Sequence, residues 1–70
     1  ASRQFAAAIE HFRRALTGKP DYSDAHFNLA MALFQSGEKL EAQQHFEEAA
    51  RLRPEMAEAI RRQVARMQGH

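Results

Sequence analysis

The stretch from Ser23 to Met56, SDAHFNLAMALFQSGEKLEAQQHFEEAARLRPEM, decides the fold, because its pattern predicts two amphipathic helices hinged at Gly37. On each side of this glycine, small and apolar residues recur at the three- and four-residue spacing of one helical face. They are Ala25, Leu29, Ala30 and Leu33 before the glycine, and Ala42, Phe46 and Ala49 after it. Pro54 then follows, and proline lacks the amide hydrogen needed to continue a helix. The stretch therefore predicts a helix-turn-helix unit.

The pattern recurs at an offset of 34 residues, which gives seven identical pairs over the chain. The pairs are Ser2 and Ser36, Ala8 and Ala42, His11 and His45, Phe12 and Phe46, Ala15 and Ala49, Pro20 and Pro54, and Ala25 and Ala59. They fall on the small, aromatic and proline positions that define the helix-turn-helix unit. A period of this length indicates a protein built from stacked copies of one helical unit.

These positions resemble those of a tetratricopeptide repeat, a 34-residue helix-turn-helix unit. The family's aromatic, Leu-Gly, aromatic, Ala, aromatic, Ala and Pro positions are held here by His26, Leu29, Ala30, Leu33, Ala42, Phe46, Ala49 and Pro54. Ala30 keeps a small residue that lets two helices approach closely. His26 stands where the family has tryptophan, so we expect looser packing at that corner.

The resemblance implies an all-α fold, an αα-hairpin solenoid of four helices in a single domain over residues 1–70. Residues 1–22 then correspond to the second helix of a preceding repeat, and 23–56 to a complete repeat. Residues 57–70 correspond to a capping helix or to the first helix of the next repeat; Gln63, which replaces the family's leucine, favours the cap. Because the sequence starts in mid-repeat, we expect it to be a piece of a longer repeat protein.

The first two helices have predicted ends. Helix one is expected over about residues 4–17, with Gly18 in a left-handed conformation at its end and Pro20 just beyond. Helix two is expected to start near Asp21 or Ser23, whose side-chain oxygens suit an N-terminal cap. It should run to about Ser36, with the turn supplied by the following glycine.

The last two helices are predicted over about residues 39–51 and from Pro54 onward. On helix three the inward residues are expected to be Leu40, Ala42, Phe46, Ala49 and Ala50. On helix four the apolar stripe consists of Met56, Ile60, Val64 and Met67. Its arginines lie elsewhere on the helix, which favours a polar, solvated outer face.

Composition excludes several classes of function. Ten basic and nine acidic side chains give a net charge of +1, which argues against a surface that binds nucleic acid or membrane by bulk charge. The arginines of helix four have no interleaved aromatic residues for base stacking. No apolar run is long enough to span a bilayer. We therefore expect neither nucleic-acid binding nor membrane insertion.

Catalytic and metal chemistry lack candidate residues. With no cysteine, disulfides, thiol nucleophiles and thiolate metal sites are excluded. The four histidines include no pair at i and i+4 with a carboxylate to complete a metal site. His11 and His45 occupy the same repeat position, and we interpret them as partly exposed packing residues. The sequence predicts no enzyme, no metal and no cofactor.

The resemblance also implies a binding surface, because the first helices of successive tetratricopeptide repeats line a concave groove that contacts extended peptides or partner helices. The corresponding positions here are Asp24, Phe27, Asn28, Met31, Phe34 and Gln35 of helix two, and Arg61 and Arg62 of helix four. Some members grip a C-terminal carboxylate with Lys, Asn and Arg. Only Asn28 and Arg62 match that clamp, and Glu58 stands where a basic residue is needed.

Two functional readings follow, and the sequence leaves both open. In the first, the chain is a protein-protein interaction module, a scaffold or adaptor that binds a peptide or partner helix in its groove. In the second, it is a structural solenoid segment that forms a homo-oligomer through exposed apolar ends, with Phe5 and Ile9 needing cover. A further alternative concerns Phe27 and Phe34, which could pack between adjacent helices instead of facing a ligand.

Overall fold

The computed structural model describes residues 3–69 and folds them into four α-helices. These are α1 (Arg3–Gly18), α2 (Ser23–Gln35), α3 (Lys39–Leu52) and α4 (Ala57–Gln68). A short 3₁₀ turn, Pro54–Met56, leads into α4, so the proline opens this turn and not the α-helix itself. Within residues 3–69 no strand is present. The predicted all-α class with four helices is therefore confirmed.

The helices pack in chain order, α1 on α2, α2 on α3, and α3 on α4. The principal-axis extents are 33 × 31 × 14 Å. Because a helix with its side chains is about 10–12 Å across, the molecule is a thin layer with a small core. The buried core cluster consists of Leu29, Ala30, Leu33, Ala42, Phe46, Ala49 and Ile60. Across residues 3–69, no helix has the length and apolar character needed to cross a membrane.

The two glycines at the predicted turns behave differently. Gly37 has a φ of 97°, the left-handed region that glycine adopts without steric cost. The amide of Glu38 donates to the carbonyl of Leu33 at 2.8 Å, which closes the end of α2. Gly18 is instead the last helical residue of α1, and the amide of Lys19 donates to the carbonyl of Ala15 at 2.9 Å. The left-handed conformation predicted for Gly18 is therefore wrong.

The predicted N-terminal cap of α2 is also wrong. Tyr22 precedes the helix, and no side chain caps it. The hydroxyl of Ser23 donates instead to the carbonyl of Ala49 in α3, at 3.2 Å. The serine therefore connects two helices, because its hydroxyl reaches a carbonyl across the helix pair. Asp24 does lie in the first turn of α2, where its charge complements the helix dipole.

Two apolar residues that were expected to point inward are exposed. Leu40 is 81% exposed, although Ala42 two positions later is fully buried. At about 100° per residue, a two-residue step places Leu40 almost on the opposite side of α3. Met56 is 44% exposed, since it belongs to the 3₁₀ turn and not to the stripe of α4. Of that stripe, Ile60 is buried.

Candidate functional site

A small cavity lies between α2 and α4, where the predicted groove would run. Its volume is about 220 Å³. It is lined by Ser23, Asp24, Phe27, Arg53, Met56, Ala59, Ile60 and Gln63. Two of the residues predicted for the groove, Asp24 and Phe27, therefore share one cavity. The cavity combines apolar walls with one acidic and one basic side chain.

Phe27 contacts the core and also lines the cavity. Its ring meets the ring of Phe46 in α3 edge to face, with the centroids 5.6 Å apart and the planes at 68°. Such pairs contribute stability beyond the area that they bury. The half-buried Phe27 side chain also lines the cavity, as does Ile60. One aromatic side chain thus belongs both to the core packing and to the cavity wall.

The other groove positions on α2 differ in exposure. Met31 and Phe34 are half-buried and pack against the core cluster. The ammonium of Lys39 lies 5.7 Å from the centroid of the Phe34 ring, within the range of a cation-π contact. Asn28 and Gln35 are exposed. This face of α2 therefore offers apolar side chains with polar neighbours on either side.

The two arginines predicted for the groove are not brought to the α2-α4 cavity. Arg61 lines a larger cleft, of about 510 Å³, between α3 and α4. Arg62 is exposed, and its guanidinium lies 3.1 Å from a carboxylate oxygen of Glu58 one turn earlier. Arg53 and Met56, which are not among the residues predicted for the groove, line the cavity instead. Their position in the turn before α4 is the only sequence signal that could have indicated them.

The α3-α4 cleft is a second surface that the sequence analysis missed. Its walls are Gln43, Phe46, Glu47, Ala50, Arg51, Pro54, Ala57, Ile60, Arg61 and Val64. One repeat earlier, α3 covers part of the corresponding surface between α1 and α2, where a cavity of about 330 Å³ remains. Arg13 of α1 pairs with Glu41 at 2.8 Å, and Phe27 of α2 contacts Phe46. The open α3-α4 cleft is therefore equivalent in repeat position to a surface that α3 partly covers within this chain.

A pair of histidines joins α2 to α3 on the side nearest α1. His26 is only 8% exposed, and its Nε2 lies 2.8 Å from the carbonyl oxygen of Pro20. Its Nδ1 lies 3.0 Å from Nδ1 of His45. The ring centroids are 5.3 Å apart and the planes differ by 26°, so the two nitrogens point at each other along the line between the rings. Both ring nitrogens of His26 have partners, and a cavity of about 330 Å³ lined by His26, Leu16, Pro20 and His45 lies at this corner, which agrees with the looser packing expected there.

Hydrogen-bond chemistry fixes the tautomers of this pair. A carbonyl oxygen can only accept, so Nε2 of His26 carries a hydrogen. When His26 is neutral its Nδ1 is an acceptor, and Nδ1 of His45 must donate. Neutral His45 then has a bare Nε2, which lies 3.8 Å from a carboxylate oxygen of Glu41. The same carboxylate oxygen accepts from Arg13 at 2.8 Å.

Burial is the main cause that lowers the pKa of His45, and the neighbouring His26 lowers it further. Glu41 acts in the opposite direction, by its charge and as a hydrogen-bond partner, whereas the charge of Arg13 lowers the pKa. The counterpart of His45 one repeat earlier is His11, which is exposed. Among the aromatic pairs of the described residues, His11 occurs only with the neighbouring Phe12, edge to face with the ring centroids 5.7 Å apart. The equivalent histidines thus have different surroundings.

The histidine pair suits a hydrogen bond and not a metal. A metal ion needs several ligand atoms directed at one common point, whereas these two nitrogens are directed at each other. Across residues 3–69, no group of three or more histidine, aspartate or glutamate side chains is arranged to hold a metal ion.

Comparison with protein families gives one result that bears on the fold. A family model described as "Tetratricopeptide repeat" matches residues 1–64, which is most of the chain. Comparison with curated proteins and with solved structures finds no match.

Proposed function

Since the chain belongs to the tetratricopeptide repeat family, whose members are typically non-catalytic protein-protein interaction modules, we propose that it binds a peptide or partner helix along the groove between α2 and α4. The observation that supports this proposal is the cavity whose lining combines Phe27 and Ile60 with Asp24 and Arg53. The proposal divides the chain into a half repeat, 1–22, a complete repeat, 23–56, and a capping or next-repeat helix, 57–70.

The chemistry of the groove favours an apolar or amphipathic segment with an acidic group near one end. Phe27, Met31 and Phe34 supply apolar area, and Asn28 supplies a polar group that can orient a bound chain. Arg53 supplies a positive charge at the cavity, and we assign a second one to Arg62, on the exposed surface of α4 outside the cavity. The pair of Arg62 with Glu58 is highly exposed, and exposed ion pairs contribute little, so an incoming carboxylate can replace Glu58 at small cost.

Fluorescence anisotropy with labelled peptides tests the groove. The probes are short amphipathic peptides of leucine and polar residues, made with and without a glutamate next to the C-terminus. Phe27→Ala and Met31→Ala should each weaken binding by about 1 to 4 kcal/mol, the usual range for anchor residues. Leu40→Ala is the matched control, because Leu40 is exposed on α3 away from the groove.

Circular dichroism of each variant completes the test. The proposal expects helix content nearly unchanged and affinity reduced in the two α2 variants only. If the α2 variants lose their helix content while the fraction still folded binds as tightly as the parent, these side chains belong to the core. Equal affinities in all three variants would also contradict the groove.

A second candidate function, self-association, is favoured by the incomplete burial of α1. The α3 residues Ala42, Phe46 and Ala49 are 0%, 2% and 0% exposed. Their counterparts one repeat earlier, Ala8, Phe12 and Ala15, are only half-buried. The same face of a helix is thus covered on α3 and partly open on α1.

We propose that α1 of a second copy fills the open α3-α4 cleft. Within one chain α3 covers part of the equivalent α1-α2 surface through the Arg13-Glu41 and His26-His45 contacts, and α1 carries the same alanine, phenylalanine and alanine positions as α3. The contact joins two different surfaces, so it is heterologous and leaves a free cleft and a free α1 at the ends of each assembly. Association should therefore continue beyond the dimer as concentration rises.

Sedimentation velocity with two variants tests this arrangement. Ala8→Asp places a charge on the open face of α1, and Val64→Asp places one in the wall of the cleft. Each variant alone should be monomeric, whereas their mixture should form dimers that do not grow. This result is expected because one variant retains an intact cleft and the other an intact α1. A parent chain that stays strictly monomeric at high micromolar concentration would contradict the proposal.

A further inference from the structure

The His26-His45 pair is a largely buried pair of titratable side chains that lines neither the α2-α4 cavity nor the α3-α4 cleft. It connects three parts of the fold: the carbonyl of Pro20 before α2, the ring of His26 in α2, and the ring of His45 in α3. We propose that this pair is a pH-sensitive contact between α2 and α3, which we call the histidine clasp. The contact is intact when the two rings together carry at most one added proton, and it breaks when both rings are charged.

The first added proton is compatible with the closed pair. It enters at Nε2 of His45, the one ring nitrogen of the neutral pair that neither donates nor accepts a hydrogen bond within 3.5 Å in the described chain. The bond from Nδ1 of His45 to Nδ1 of His26 is unchanged. The new N–H group faces Glu41, whose carboxylate lies 3.8 Å away and favours the charge.

A second added proton is incompatible with the closed His26-His45 pair. It must enter at Nδ1 of His26, which is the acceptor of the shared hydrogen bond. Two N–H groups would then face each other across 3.0 Å, and two positive rings would lie side by side in a largely buried place. Neither donor has another acceptor along that line, so the rings must separate.

The surrounding charges cannot neutralise a doubly charged pair. Glu41 of α3 is the carboxylate nearest to His45, and it is already paired with Arg13 of α1 at 2.8 Å. Glu48 of α3 is engaged by Arg51, the main cause of its lowered pKa, with the two histidines as smaller contributions. The carbonyl of Pro20 can accept from Nε2 of His26 whether that ring is neutral or charged, because Nε2 carries a hydrogen in both forms. Arg13 adds a positive charge to the same corner.

The direction of the pH effect follows from this arrangement. In the unfolded chain each histidine takes up a proton near pH 6.5. In the folded chain the pKa of His45 is lowered, chiefly by burial. The folded state thus binds fewer protons than the unfolded state below about pH 6.5, so its stability is complete above that pH and falls as the solution is acidified. For each proton withheld, the folding equilibrium constant falls by up to about tenfold per pH unit.

Urea unfolding over the range of about pH 5 to 7.5 measures this loss. The parent chain should lose stability on acidification, and His11→Gln should lose as much, because His11 is the exposed residue at the same repeat position. His45→Gln and His26→Phe should lose less, since neither variant can hold a second proton in the pair. An unchanged acid loss in both of these variants, or no loss in the parent, would overturn the proposal.

Ring-nitrogen NMR of the parent chain gives a test that needs no variant. Near neutral pH, His26 should carry its hydrogen on Nε2, and His45 should carry its hydrogen on Nδ1. The Nδ1–H form of His45 is not the tautomer that free histidine prefers. On acidification the first added hydrogen should appear on Nε2 of His45, with the hydrogen bond between the two Nδ1 atoms kept. Nε2–H tautomers on both rings near neutral pH, or loss of the shared hydrogen bond when that first hydrogen is added, would remove the histidine clasp.

Discussion

Ala42→Leu tests the packing of the complete repeat. Ala42 is fully buried in α3 and belongs to the core cluster with Leu29, Leu33 and Phe46. The substitution replaces a methyl group by an isobutyl group at a place where two helices approach closely. Ala8 occupies the same repeat position in α1, where it is only half-buried. Ala8→Leu is therefore a matched control with the same chemistry and a different environment.

The expected magnitude follows from the burial. Extra methylene groups in a filled core cost about 1 to 3 kcal/mol, because neighbouring side chains and backbone must shift. For a domain of this size, 1 kcal/mol corresponds to about 4–8 °C in the unfolding midpoint. Ala42→Leu should thus lower the midpoint by about 4 to 24 °C. Ala8→Leu should change stability by no more than about 0.5 kcal/mol, as is usual for sites outside a packed core.

Thermal unfolding followed by far-UV circular dichroism measures both effects. The protein concentration should be low and identical for all variants, because self-association would raise the midpoint by mass action. Two results would refute the reasoning: an Ala42→Leu midpoint equal to that of the parent, or equal losses for the two leucine substitutions. Either result would mean that the repeat register places the tight helix crossing incorrectly.

Two other predictions use the turns and the groove. Gly37→Ala should cost about 1–2 kcal/mol in urea unfolding, because its φ of 97° is unfavourable for a residue with a Cβ. Gly18→Ala should instead be neutral or stabilise the fold by up to about 1 kcal/mol, since Gly18 is helical and an added Cβ meets nothing within 4 Å. Arg62→Glu should weaken binding of the acidic-ended peptide in anisotropy measurements, with the difference from the parent shrinking as salt is added. A salt-independent difference would contradict an electrostatic role for this arginine.

The sequence pattern predicts the helices and their buried centre because both depend on local periodicity. Small residues at Ala42 and Ala49, with Phe46 between them, mark a face that must be covered, and all three are buried. The offset of 34 residues extends that inference over the whole chain. The family match over residues 1–64 supports the same conclusion from an independent comparison.

The errors arise where a residue type permits two conformations or two directions. Glycine suits a left-handed turn but is also tolerated in a helix, and only the local hydrogen bonds place Gly37 in the turn and Gly18 in α1. A serine beside a helix start can cap that helix or donate to a neighbouring one, as Ser23 does. Leu40 is apolar, yet its position around α3 directs it to solvent. Composition alone does not separate these alternatives.

The histidine pair shows why a repeat comparison misses contacts that occur once. The 34-residue offset equates His45 with the exposed His11, and His26 with the apolar Ile60. Each comparison suggests an ordinary packing residue, since within this chain neither Ile60 nor His11 has a histidine at the repeat position of the other member of the pair. The hydrogen bond requires both histidines in the same helix pair, and α2 and α3 are the pair in which both occur. A polar contact therefore lies at a position where the family pattern predicts only an aromatic side chain, and the two differ because a histidine pair takes up protons whereas an aromatic hydrocarbon ring does not.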